Sequence, residues 1–132
     1  MRAKILNASA GSGKTYQLAY KYVRDVIDQP GLYRHILAVT FTNKATEEMK
    51  SRILKEIHRL ASGGASPYLG NLCRELSLDE RSVRKRAAEV RSKILHDYSR
   101  FTVLTIDTFF QRILRAFIKE LGIDLNYNVE IE

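Results

Sequence analysis

Ala8-Ser9-Ala10-Gly11-Ser12-Gly13-Lys14-Thr15 is the stretch on which the reading of this sequence turns. It follows Lys4-Ile5-Leu6-Asn7, a short apolar segment suited to a buried strand, and leads into a run whose apolar residues recur with helical spacing. Glycines in such a turn let the backbone curl until successive N–H groups converge on phosphate oxygens. The start of the following helix adds its partial positive charge. Lys14 is placed to reach the β- and γ-phosphates, and the Thr15 hydroxyl to ligate Mg²⁺. The stretch fits the phosphate-binding loop pattern except that Ala8 replaces the first glycine. Ala10, Gly11, Ser12, Gly13, Lys14, Thr15 and Tyr16 are the expected nucleotide contacts, with Lys14 and Thr15 also expected to be catalytic. The plainer alternative, a glycine-rich turn with an incidental Lys-Thr, leaves the strand before it and the helix after it unexplained.

A helix is predicted from Gly13 to about Asp28, with Leu18, Ala19, Tyr22, Val23, Val26 and Ile27 spread over more than one face. Pro30-Gly31 marks a turn. Ile36 to Phe41 is apolar without alternation, the pattern of a central strand in a parallel sheet. The next helix, roughly Asn43 to Ala61, has Asn43 as N-cap and Met49, Ile53, Ile57 and Leu60 as its core stripe. Ser62 to Pro67 reads as a loop and Tyr68 to Leu76 as a short helix. Ser77 and Glu80 have capping-box spacing, opening a helix to about Tyr98 with Val83, Ala87, Val90 and Ile94 on one face. Phe101 to Ile106 is a third strand, after which Asp107 or Thr108 caps a helix closed by Gly122. Residues 123–131 alternate apolar and polar, as an edge strand would or an extended end that lacks its partners. Strands alternating with helices predict an α/β fold, a parallel sheet flanked by helices.

Two further segments leave the sheet as the phosphate loop does. Thr40-Phe41-Thr42-Asn43-Lys44 offers hydroxyls, an amide and an ammonium suited to phosphate oxygens, and Phe41 is either a stacking face for an unpaired base or a core residue. Thr105-Ile106-Asp107-Thr108 follows the third strand; Asp107 reads as an N-cap in preference to a Mg²⁺ ligand, since no second acid follows it.

Taken together, the stretches ASAGSGKT, LAVTFTNKATEEMKSRI and TIDTFFQRILRAF, in this order and spacing, resemble the first three motifs of superfamily-one DNA helicases of the UvrD/Rep class. The spelling of the loop, with a long helical stretch before TIDTFF, is closer to the RecB/AddA helicase–nuclease branch, exodeoxyribonuclease V beta-like. The resemblance implies a P-loop NTPase of RecA-like fold, incomplete, with residues 1–132 as the N-terminal part of a first motor domain and 62–100 as a helical insertion. It implies ATP and Mg²⁺ on Lys14 and Thr15, and single-stranded DNA on Thr40, Phe41, Thr42, Asn43, Lys44, Thr105 and Thr108. Many relatives have histidine where Asp107 stands, and an acid there would repel a phosphate. The family's acidic magnesium motif, glutamine sensor, γ-phosphate arginines, second motor domain and any nuclease domain are not among these residues, so the chain reads as a portion of a longer protein. Its partners would be DNA, the remaining motor domains and a helicase–nuclease partner subunit. As it stands, the chain is expected to bind nucleotide without hydrolysing it.

Composition agrees with that reading. The 132 residues are 45% hydrophobic and 28% charged, which suits a folded domain, and the net charge of +7 favours an anionic partner. Arg81, Arg84, Lys85, Arg86, Arg91 and Lys93 form a basic run read as a solvated face in preference to a duplex-DNA contact. Cys73, alone, excludes a disulfide framework and reads as a small core residue; His35, His58 and His96 lack metal-ligand spacing. No signal peptide or membrane-spanning run is present, so a cytoplasmic location is expected. A nucleotide kinase would need an acceptor site and lid arginines that are not found. A GTPase would need an Asn-Lys-x-Asp motif, but Asn43-Lys44 runs into Ala45-Thr46. A non-catalytic basic DNA-binding module stays open.

Overall fold

The computed structural model describes residues 4–8 and 12–122, with side chains over 15–122. Three strands, β1 (Lys4–Ala8), β2 (Ile36–Thr40) and β3 (Thr102–Thr105), form a parallel sheet in the order β1-β2-β3. Between and after them run α1 (Ser12–Asp28), α2 (Asn43–Ser62), α3 (Leu69–Leu76), α4 (Glu80–His96) and α5 (Ile106–Glu120). The α/β class and the central position of the non-alternating strand are as expected. The alternating residues 123–131 lie outside the described residues, as do Ala10 and Gly11 of the phosphate loop.

Helical periodicity explains the core. Met49, Ile53, Ile57 and Leu60 of α2 interlock with Val83, Ala87, Val90 and Ile94 of α4, and with Tyr22, Val23, Val26 and Ile27 of α1. All of them are buried, and each buried aliphatic side chain contributes roughly 1.5–3 kcal/mol, so this three-helix contact dominates cohesion. Cys73 sits half-buried at the margin of this core, not inside it.

Several boundaries differ from expectation for one physical reason: where oxygen-bearing side chains crowd, the cap goes to the residue at which the chain leaves extended backbone. Thr42, not Asn43, caps α2, its hydroxyl accepting from the Ala45 N–H at 3.0 Å. Asp79, not Ser77, caps α4 by accepting from the Ser82 N–H at 2.7 Å. Ser77 instead ends α3 in the left-handed region, at φ 54°. Thr105 caps α5 by accepting from the Thr108 N–H at 3.3 Å, which leaves Asp107 exposed in the first turn. The Pro30-Gly31 turn extends into a 3₁₀ helix, Pro30–His35, and a second one, Tyr98–Arg100, follows the end of α4.

The basic run on α4 is only partly a solvated face. Arg84 Nη1 donates to the carbonyls of Arg59 (3.4 Å), Leu60 (3.2 Å) and Gly64 (3.0 Å), where α2 ends. Arg86 Nη1 does the same for α1, reaching Ile27 O at 3.3 Å and Asp28 O at 2.9 Å. Helix C-termini carry unsatisfied carbonyls and partial negative charge, so two cations of one helix hold the ends of two others. Arg91 meets Nδ1 of the exposed His58 at 3.2 Å, while Arg81, Lys85 and Lys93 are exposed.

Candidate nucleotide and nucleic-acid site

Register brings the three sequence segments together. Ala8 of β1 pairs with Thr40 of β2, and Thr40 pairs with Thr105 of β3. All three residues are therefore the last of their strands, side by side at the carboxyl edge of one parallel sheet. Open α/β sheets bind ligands at this edge. The phosphate loop joins Ala8 to α1, Phe41-Thr42 joins β2 to α2, and Thr105 passes directly into α5.

The residues at this edge divide by burial. Thr40, at 1% exposure, turns inward; its hydroxyl lies 2.6 Å from that of Thr46 and 3.2 Å from the Thr42 carbonyl. It locks the strand end to the first turn of α2. Phe41 is 50% exposed and outside the strand, so of its two readings the core one fails. Thr42, Asn43 and Lys44 are exposed beside it. Thr105 and Thr108 are half-buried and bonded to each other, with hydroxyl oxygens 2.9 Å apart. Asp107 faces solvent.

Beyond the phosphate-loop stretch, α1 begins at Ser12, so Ser12, Gly13, Lys14 and Thr15 form its first turn. Thr15 is buried and, with Tyr16, lines an open cleft of about 510 Å³ whose other wall is Glu47, Glu48, Ser51, Arg52 and Lys55 of α2. The Arg52 guanidinium sits over the Tyr16 ring, 5.5 Å from its centroid, and Nη1 is 3.7 Å from Oε2 of Glu56. Glu56 is fully buried; its Oε1 accepts from Arg59 at 3.3 Å and from Ser66 Oγ at 3.4 Å. Ser66 Oγ in turn accepts from the Tyr68 N–H at 3.2 Å. The Tyr68 hydroxyl donates to the Tyr16 carbonyl at 2.8 Å, and its ring meets Tyr16 and Tyr20 edge-on, at 5.0 and 5.2 Å. Burial, followed by the nearby Glu56 carboxylate, raises the Tyr68 phenol well above its ordinary range, keeping it a donor. None of Arg52, Glu56, Ser66 and Tyr68 was expected to touch the site. The one sequence sign was an acid, Glu56, set beside the apolar stripe of α2.

With this geometry in view, the comparisons are specific. The UvrD/REP helicase N-terminal domain family matches residues 2–132. The chain belongs to that family. Among its relatives, the RecBCD enzyme subunit RecB of Escherichia coli K12 is 31% identical over 127 residues, covering 90% of this chain and 11% of that protein. An ATP-dependent helicase/nuclease subunit of Lactococcus lactis subsp. cremoris SK11 is 29% identical over 125 residues, covering 95% of this chain and 9% of that protein. RecB of Haemophilus influenzae is 30% identical over 142 residues, covering 92% and 11%. This UvrD/REP-family chain thus spans about a tenth of the length of the relatives it matches. Among the described residues no helix is long and apolar enough to cross a membrane.

Proposed function

We propose that this chain is the ATP- and single-stranded-DNA-binding portion of an ATP-dependent DNA helicase, allied to a helicase–nuclease, acting in recombination and repair in the cytoplasm. The observation that carries the reading is the alignment of Ala8, Thr40 and Thr105 at one sheet edge. Nucleotide and DNA segments that share an edge can pass a change in one to the other through strands a single residue away. The sheet is read as that of a P-loop NTPase, with residues 62–100 as a helical insertion packed on α1 and α2.

A helix leaves its first N–H groups without intrahelical acceptors, so the start of α1 at Ser12 supplies donors to a phosphate held by Ala10, Gly11, Ser12 and Gly13. Lys14 would pair with the β- and γ-phosphates, and Thr15, on the wall of the cleft, would hold Mg²⁺. When bound, Mg²⁺ neutralises charge on the phosphate oxygens. Tyr16 would meet the nucleoside. On the other side of β2, Phe41 presents its ring to an unpaired base while Thr42, Asn43 and Lys44 hold phosphate oxygens, with Thr105 and Thr108 extending the track. Thr40, buried and bonded to Thr46, shapes this segment from beneath.

Partners would be DNA, the remaining motor domains and a helicase–nuclease partner subunit. The chain alone would bind Mg-ATP or Mg-ADP without turning it over, because an arginine delivered across a motor cleft is worth about 10³–10⁵ in rate. Calorimetry tests the reading: Lys14→Ala should cost about 2–4 kcal/mol of nucleotide binding, and identical isotherms for the two proteins would overturn it.

A further inference from the structure

The cleft beside α1 runs from Thr15, at the phosphate end, to a wall of mixed charge on α2. On that wall Glu47 and Glu48 would accept hydrogen bonds from sugar hydroxyls, Arg52 and Lys55 carry positive charge, and the Tyr16–Arg52 stack offers a flat surface to a base. Its volume, about 510 Å³, falls in the range of small-molecule sites. The Tyr16 ring is constrained there: Tyr68 packs against it edge-on at 5.0 Å while the Arg52 guanidinium lies 5.5 Å from its centroid. Its backbone is fixed as well, since the Tyr68 hydroxyl donates to the Tyr16 carbonyl at 2.8 Å. Tyr68 owes its own place to Ser66, which links its N–H to the buried Glu56, and Glu56 Oε2 also lies beside Arg52. One short segment ahead of α3 therefore reaches Tyr16 directly and Arg52 through Glu56.

We infer that Tyr68, anchored through Ser66 and Glu56, is a positioning residue that holds Tyr16 for the nucleoside end of a nucleotide, beside the Arg52 that Glu56 holds, giving the 62–100 segment a part in nucleotide selection. This rests on the nucleotide reading above. Preorganisation of this kind raises affinity only for a ligand that reaches the preorganised groups. A nucleoside diphosphate reaches them; pyrophosphate, which shares its phosphates, does not.

The test compares Mg-ADP with Mg-pyrophosphate by calorimetry on the 132-residue chain. Tyr68→Phe keeps the ring and loses the hydroxyl, and Ser66→Ala releases the anchor on the Tyr68 N–H while leaving both tyrosine side chains intact. Each should weaken Mg-ADP by about three- to tenfold, the loss of one hydrogen bond, and leave pyrophosphate unchanged. If Mg-ADP affinity holds in both variants, or if both ligands weaken equally, the positioning role is overturned. Lys14→Ala separates the two claims. Weakening of both ligands by Lys14→Ala, with Tyr68→Phe silent, removes the positioning role and keeps the phosphate loop. If Lys14→Ala changes neither ligand, the nucleotide reading falls and the positioning role falls with it.

Discussion

Replacing Arg84 with methionine keeps the aliphatic stem on α2 and deletes the guanidinium that binds three carbonyls there. Of these, the Arg59 carbonyl keeps another donor, because the Gly64 N–H reaches it at 2.8 Å. The Leu60 and Gly64 carbonyls lose the guanidinium donors at 3.2 and 3.0 Å. A charge-assisted hydrogen bond nets about 1.5–3 kcal/mol, and a cation at a partly buried helix C-terminus adds up to roughly 2 kcal/mol of overlapping stabilisation. The ion pair with Glu80, on the exposed side, adds no more than about 0.5 kcal/mol. Since water can replace part of what is lost at a half-buried site, the expected cost is about 2–3 kcal/mol. For a domain of this size that corresponds to a fall in Tm of roughly 6–10 °C. Urea denaturation followed by circular dichroism should show a lower midpoint with an unchanged slope. Lys85→Met, one position along and exposed, is the control and should stay within about 0.5 kcal/mol of the parent. If Arg84→Met matches that control, the α4 run is an ordinary solvated face and the helix-end argument is wrong.

Phe41→Ala should weaken single-stranded DNA binding by about 1–3 kcal/mol, the worth of one stacked base. Its salt dependence and its thermal stability should be unchanged, because the ring is outside the core and neutralises no phosphate; a clear loss of stability would return Phe41 to the core. At the alkaline end, burial followed by Glu75 pushes the Tyr20 phenol up to about 12, and burial raises Tyr22 and Tyr68 also. The stabilisation from holding these phenols neutral is fully present below the unfolded value near 10 and is lost as pH rises through the folded values. Urea midpoints should therefore fall between about pH 10 and 12, with late phenolate absorbance appearing together with unfolding. Midpoints that stay flat across that window would contradict the burial of these hydroxyls.

How much was legible in the sequence depended on the range of the interaction. The strand Ile36–Thr40 and the stripes of α2 and α4 were readable because periodicity alone fixes which residues are buried. The meeting of the three segments at one carboxyl edge was readable for a similar reason, since loops after parallel strands share an edge whatever the register. The caps slipped by one to three residues because Thr42-Asn43 and Thr105 to Thr108 each offer several competent oxygens, and strand length decides among them. Thr40 looked like a phosphate ligand by chemistry, yet as the last residue of a central strand it turned into the protein. Arg84 and Arg86 were beyond reach, because their partners are the ends of helices far away in sequence. Tyr68 was hidden for the same reason: nothing near it in sequence points to the Tyr16 carbonyl.

Helix α5 leads to the remaining prediction. It buries no residue, although Phe110, Ile113 and Phe117, with Leu121 just past its end, recur at helical spacing and are 54%, 49%, 58% and 58% exposed. A stripe of that kind suits a covered surface, and large exposed apolar patches mark contact sites. Covering the exposed half of each side chain would yield about 1 kcal/mol apiece, roughly 3–5 kcal/mol in all. That is less than or comparable with the cost of bringing two separate molecules together, about 4–15 kcal/mol, so a second copy should cover the stripe only weakly. A segment joined to the same chain avoids most of that cost, which makes an intramolecular cover the better fit for so modest a surface. The 132-residue chain should accordingly sediment as a monomer at low micromolar concentration and self-associate only when concentrated far beyond it. Phe117→Ser should suppress that association and shift Tm by less than about 2 °C, as a substitution on an uncovered surface does. A drop of many degrees would mean that α5 is already packed against something within this chain, and the case for an open face would fail.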